Sequence, residues 1–160
     1  MVTDYLGRAL LAAALIALGM AAFWAWNRWQ LRRLGQARGT VLRGLEHTRP
    51  GVAAVLYFTT PDCLVCRMAQ KPALQRLEAD LGVGGVQIVE IDATVDTAVA
   101  DYWGVLSVPT TFVIDAQGTP RSINHGLTSK EKLQRQIEAT QADPAVNAAA
   151  EAEVAPVRMD

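Results

Sequence analysis

The sequence predicts an α/β domain, a mixed four-stranded sheet flanked by helices, preceded by one transmembrane helix. Three observations carry this reading. An uncharged run from Ala9 to Trp26, ALLAAALIALGMAAFWAW, approaches the length needed to cross a bilayer's hydrocarbon core. From Val52 onward, short apolar runs of strand length alternate with stretches of helical spacing. Late in that series, TTFVIDAQG leads one strand-like run into the next through a short turn, as in a hairpin.

The N-terminal run has no polar face to meet water, which argues against a buried core helix. A cleaved signal peptide is the second reading, but Asp4 offsets Arg8 and the exit is rich in Trp and Arg. A retained single-pass anchor over residues 1–27 is the reading the sequence favours. Trp24, Trp26 and Trp29 would form an aromatic belt at one membrane surface and Tyr5 would serve at the other. Arg28, Arg32, Arg33, Arg38 and Arg43 follow the run, against Arg8 before it. By the positive-inside rule, this bias favours the cytoplasm for the globular part, with the extracytoplasmic side as the alternative.

Residues 28–49 are expected to form a basic juxtamembrane helix. Leu31, Leu34, Val41, Leu42 and Leu45 roughly follow one helical face. The arginines opposite suit membrane lipid headgroups, with a solvated linker helix as the alternative. Arg49-Pro50-Gly51 ends it and opens a domain over residues 50–140.

Within that domain, Val52 to Thr59 (VAAVLYFT) is a continuous apolar run, as for a strand buried on both faces. Cys63 to Leu81 has helical spacing through Met68, Leu74, Leu77 and Leu81, and Pro72 should kink it by removing the hydrogen bond to Met68. Gly82, Gly84 and Gly85 break the helix. Val86 to Asp92 is a second strand, Thr97 to Tyr102 a short helix, and Thr110 to Asp115 a third strand. Arg121 to His125 is a more polar edge strand. Thr128, with Glu131 three residues on, reads as the capping box of a last helix whose stripe is Leu133 and Ile137. Strand, crossover helix and strand imply a parallel right-handed unit. From Gln141 to Asp160 the chain turns to Ala, Glu, Pro and Val without periodicity and is expected to be disordered.

The chain has 160 residues and a formal net charge of −1, so nothing points to nucleic acid. Its two cysteines, Cys63 and Cys66, cannot make a disulfide framework. They sit where the first strand hands over to a helix. The unpaired N–H groups and dipole of a helix start favour thiolate over thiol, so Cys63 is the expected nucleophile. Cys66, one turn later, can resolve a mixed disulfide. Half a zinc site and a pair of inert buried cysteines are the competing readings. Zinc lacks a second CxxC, since His47 and His125 are the only other soft ligands, so no metal is expected. Against inert burial stands the polar, turn-forming stretch Thr59 to Asp62.

YFTTPDCLVCRMAQKPALQRLE, VEID and GVLSVPTTFVIDAQG together resemble thioredoxin-like proteins, over about Val52 to Thr140. The resemblance implies a minimal four-stranded thioredoxin-like fold and a cis peptide at Pro109, facing the cysteines. The backbone of Val108 would then hold an extended substrate chain by strand addition. It places Gly126 in a loop beside the site, bringing His125 close as a possible proton-transfer group. It also shows departures. Asp62 stands where the family often has tryptophan, Tyr57 where thioredoxin has a buried acid, and Leu64-Val65 lies between the cysteines. Pro72 comes one residue later than the family's helix proline, and the first strand of full-length thioredoxin has no counterpart, so the juxtamembrane helix would replace the first helix. The implied activity is thiol–disulfide exchange on protein substrates, with no cofactor beyond the dithiol pair and an upstream dithiol reductant or reductase as partner. A non-enzymatic redox sensor and a thioredoxin-fold adaptor are the rival readings.

Overall fold

The computed structural model describes residues 2–35, 42–46, 48–82 and 84–141. The expected tail beyond Gln141, together with Arg38, Val41 and His47, lies outside them.

Helix α1 is continuous from Val2 to Gly35. The change from apolar to arginine-bearing sequence at Asn27 does not interrupt it, since Ala, Leu and Arg are all good helix formers. What changes is what the side chains meet. Leu15 and Trp24 are exposed, whereas Gln30 and Leu34 are buried and Asn27 and Leu31 half-buried. Positions 27, 30, 31 and 34 form one face of a helix, and that face lies against the domain. Arg28, Arg32 and Arg33 point away from it.

The expected helix to residue 49 does not extend that far. Residues 42–46 are turns, closed by Leu45 N–H to Leu42 C=O at 2.9 Å. Gly44 explains why: its φ is +88°, and a Cβ there would sit 2.8 Å from Ile91 Cδ1. That left-handed backbone, closed in by the side-chain ends of Ile91 and Val99, favours glycine. Leu42 and Leu45 consequently pack in the core with Leu34 rather than facing lipid.

The sheet has the order β2-β1-β3-β4, built from β1 (Ala54–Thr59), β2 (Gln87–Asp92), β3 (Thr110–Ile114) and β4 (Pro120–His125). β1 pairs β2 in parallel and β3 antiparallel, and β3 and β4 form the expected hairpin. Every residue of β1 is buried, and alternate residues feed two cores. Ala54, Leu56 and Phe58 join Phe112, Ile114 and Trp103 under α1 and α3 (Thr97–Trp103). Val55 and Tyr57 join Leu74, Leu77, Leu133 and Ile137 under α2 (Lys71–Leu81) and α4 (Lys130–Gln141).

α1 runs antiparallel to β4. Its Phe23 ring meets His125, the last residue of β4, at a centroid distance of 6.0 Å. Farther along, Gly35 lies beside Thr119, just before β4 begins. Between them Gln30 Nε2 donates to Trp103 C=O at 2.6 Å, at the C-terminus of α3. The last turns of α1 therefore cover one face of the sheet, the place of the missing first helix.

The last helix also starts later than expected. Ser129, not Thr128, caps it, its Oγ accepting the Lys132 N–H at 3.3 Å. Glu131 is held below the ordinary carboxylate range by backbone and Ser129 hydrogen bonds at that helix start.

Because Leu34 is a core residue, Leu34→Ala should lower unfolding free energy of the detergent-solubilised chain by about 2–4 kcal/mol. Leu15→Ala, on the exposed part of the same helix, should change it by less than ~0.5 kcal/mol. Denaturant midpoints with a common slope check both.

Candidate active site

The chain leaves β1 at Thr59 and turns tightly, Cys63 N–H reaching Thr60 C=O at 3.1 Å. Cys63 C=O then accepts from Arg67 N–H at 3.2 Å, so helical bonding begins at the first cysteine. Cys63 and Cys66 are joined in a disulfide with Cα atoms 5.2 Å apart. The two sulfurs are not equivalent. Cys66 is fully buried, whereas Cys63 is half-buried and reachable. Cys66 N–H points at Cys63 Sγ from 3.2 Å. That amide is one of the helix-start donors with no partner in the helix, and it would hold negative charge on Cys63 once the bond is reduced.

The segment after the cysteines is helical without a break from Leu64 to Leu81, as expected, but its irregularity is a π turn. Cys66–Gln70 is a π turn, closed by Lys71 N–H to Cys66 C=O, and α2 begins at Lys71. Pro72 thereby falls in the first turn of an α-helix, where no N–H is required. The wider π turn carries Gln70 inward, fully buried. Its Oε1 accepts from Thr128 N–H at 2.8 Å and its Nε2 donates to Thr128 C=O at 3.2 Å. This two-bond clamp fixes the loop between β4 and α4 beside the cysteines. Sequence reasoning missed Gln70. The only signal was an uncharged amide in the helical turn that carries the cysteines.

The peptide between Val108 and Pro109 is cis. Pro109 C=O accepts from Gly126 N–H at 2.8 Å, tying this loop to the end of β4. Val108 is half-buried and packs on the same core cluster as Cys63 and Cys66. Among the described residues, neither the amide nor the carbonyl of Val108 has a hydrogen-bond partner. Both remain free to pair with an extended chain.

His125 is placed differently from the expectation. It pairs with Thr110, which pairs with Phe58, so its side chain shares the sheet face of Phe58, opposite the face of Tyr57 and Cys66. There its Nε2 meets Asn27 Oδ1 at 3.2 Å and its ring meets Phe23. Burial lowers its pKa from the usual 6.5. Its partners are on α1, and it is not brought to the sulfurs. Tyr57 is in the cluster with Cys66, but burial raises its pKa above 10.0, so it stays a neutral phenol there. Glu90 pairs with Lys71 at 2.9 Å on the surface. Asp62 is exposed, so its charge acts on Cys63 through water. Among the described residues no group of three or more His, Cys, Asp or Glu could hold a metal ion.

The two-faced sheet, the cysteine pair at a helix start and the cis proline beside it define a thioredoxin-like domain. The family model described as a thioredoxin-like domain matches residues 46–141, and the chain belongs to that family. Among solved structures, thioredoxin-2 of the malaria parasite, described as a component of its protein secretion machinery, is similar at 23% identity and a TM-score of 0.51. The match covers 55% of this chain and 82% of that one. A second malarial protein matches at 22% identity and a TM-score of 0.51, over 56% of this chain and 97% of its own. A thioredoxin from Halobacterium salinarum is 25% identical, with a TM-score of 0.49, over 55% and 74% of the two chains. No curated protein matches the chain significantly.

Two predictions follow from these contacts. Gln70→Ala strands both backbone polar groups of Thr128 and should cost about 1–3 kcal/mol of stability. It should also raise hydrogen exchange at Leu127 and Thr128 ahead of the rest of the sheet. The second concerns acid. His125 binds its proton less readily folded than unfolded, so the unfolded chain holds more protons as pH falls through 6.5. Stability conferred by the neutral ring is complete above that pH and is lost below it. His125→Phe should flatten that part of a stability–pH curve, measured by denaturant midpoints from pH 8 to pH 5.

Proposed function

We propose that this protein is a membrane-tethered thiol–disulfide oxidoreductase that reduces protein disulfides. The observation that carries the reading is the unequal pair: a reachable Cys63 Sγ receiving the Cys66 N–H, and a buried Cys66 one turn behind. The reduced Cys63 thiolate attacks one sulfur of a substrate disulfide. A mixed disulfide forms, and the other substrate sulfur leaves as a thiolate that takes up a proton. The Cys66 thiolate then attacks Cys63 Sγ, expelling the second substrate thiol and restoring the Cys63–Cys66 bond. Two electrons pass from the pair to the substrate. An upstream dithiol returns them by the same exchange in reverse. The free amide and carbonyl of Val108, ahead of the cis Pro109, hold the substrate backbone during attack. With His125 turned to α1 and Tyr57 neutral, solvent at the half-open Cys63 is the proton acceptor for the pair.

Retention of α1 as an anchor is supported by its continuity. The apolar run and the docked turns carrying Gln30 and Leu34 are one unbroken helix. The arginines after the run favour the cytoplasmic side, where thiols are kept reduced and the reductive direction is expected.

Turnover tests this. In insulin reduction with a dithiol donor, Cys63→Ser should lower the rate at least 100-fold. Cys66→Ser should accumulate protein partners in mixed disulfides that a reductant releases. Full turnover by Cys63→Ser would exclude the mechanism, and an absence of trapped partners would favour an adaptor.

A further inference from the structure

Outside α1, six large apolar side chains are exposed among the described residues: Leu64, Val65, Met68, Val95, Leu106 and Leu127. Their exposures run from 48% at Val65 to 85% at Leu106. They are scattered in sequence but not in space. Leu64, Val65 and Met68 follow the C-terminal end of β1. Val95 follows the end of β2, which is parallel to β1. Leu106 precedes β3, antiparallel to β1, and Leu127 follows β4, antiparallel to β3. All six therefore lie at one end of the sheet, the end that carries Cys63 and the cis proline. The opposite end has none among the described residues.

The direction of α1 gives this asymmetry a meaning. α1 leaves the domain at that same end. It passes His125 at Asn27 and Phe23, and everything N-terminal to Phe23 projects beyond the last residue of β4. The uncharged stretch Ala9 to Trp26 makes roughly 27 Å of helix, close to the thickness of a hydrocarbon core. Trp26 and Trp29, whose rings lie 5.3 Å apart, sit at the interface end of that span. A span that ends near Trp26 brings the His125 end of the sheet to headgroup level, because α1 is continuous from that span through its contacts with His125.

We infer that the cysteine-bearing end of the domain rests on the lipid surface of the bilayer that α1 spans. The six apolar side chains are seated among the headgroups, and Cys63 attacks disulfides held at the membrane surface. This deepens the proposed function, on which it rests, by naming the substrate class as cysteine pairs in the membrane-level loops of integral membrane proteins. The exchange is the one written above. What the bilayer adds is where the substrate sulfur must be.

The test uses the full reduced chain in phosphatidylcholine nanodiscs, with methyl-labelled Met, Leu and Val and a gadolinium-chelate headgroup lipid. Strong broadening of the Met68, Leu106 and Leu127 methyls, with Val52 and Leu81 at the other end little affected, is expected. Rates are then compared for a headgroup-tethered pyridyl disulfide and for its soluble counterpart at matched bulk concentration. The tethered probe should react at least 10-fold faster, and Val95→Lys with Leu127→Lys should bring that ratio toward one. If the soluble probe reacts while the methyls stay sharp, or the ratio is near one in the unaltered chain, the lipid-docked end is wrong and the oxidoreductase reading stands. A protein partner covering this end would give that same result in pure lipid. If neither probe reacts, the oxidoreductase reading itself fails.

Discussion

The contact on which the rest depends is the Cys66 amide aimed at Cys63 Sγ. A cysteine one residue earlier would lie in the Thr60 turn, and from Arg67 onward the backbone amides are already paired within the helix. The three-residue spacing works because it spans the only donors a helix leaves unpaired at its start. Holding that start in place takes several separate devices: a β1 strand buried along its whole length, the π turn that accommodates Pro72, and the Gln70 clamp on Thr128. Gly126 N–H on Pro109 C=O ties the third wall of the site to the end of β4. Each fixes backbone rather than side chain, which is what a reaction between sulfurs at bonding distance requires.

The sheet needs cover on both faces because β1 buries both sets of its side chains. α2 and α4 serve one face. On the other, α3 is too short to cover it alone, and α1 completes the cover with Leu34, helped by Leu42 and Leu45 from the turn at Gly44. The polar contacts of Gln30 at the end of α3 give that packing its register, since a slipped helix would leave a buried amide without its carbonyl partners. A helix that is wholly apolar along most of its length thus becomes specific in its last turns.

Much of the fold was legible because apolar runs and turn residues state their own lengths. β2, α3, β3 and the hairpin fall within a residue or two of where the spacing puts them. The misreadings share a cause: they depend on what a residue approaches, which one-dimensional spacing does not carry. Leu42 and Leu45 are three apart in a turn as they would be in a helix, and the left-handed φ of Gly44 between them separates the cases. Ser129 rather than Thr128 caps α4; the Thr128 hydroxyl donates to Gly126 C=O instead. His125 was assigned by its neighbour Gly126, whereas strand parity puts it on the face of Ile123, two residues before it. The cysteines themselves were legible from their place between strand and helix.

On the proposed reading of α1 as a membrane anchor, the helix that covers the sheet also sets where the site points. A flexible tether raises the local concentration of a domain near a membrane while leaving its orientation free. α1 has no such joint before it meets β4, so freedom lost to packing Leu34 and Gln30 is also freedom lost to the cysteines. Orientation becomes a consequence of fold stability. In the lipid-docked arrangement inferred above, loosening Asn27 and Phe23 from His125 would leave the cysteine pair intact but free Cys63 to turn away from the lipid surface. On that proposal, the orientation of Cys63 is set by contacts on the face of the sheet opposite Cys66.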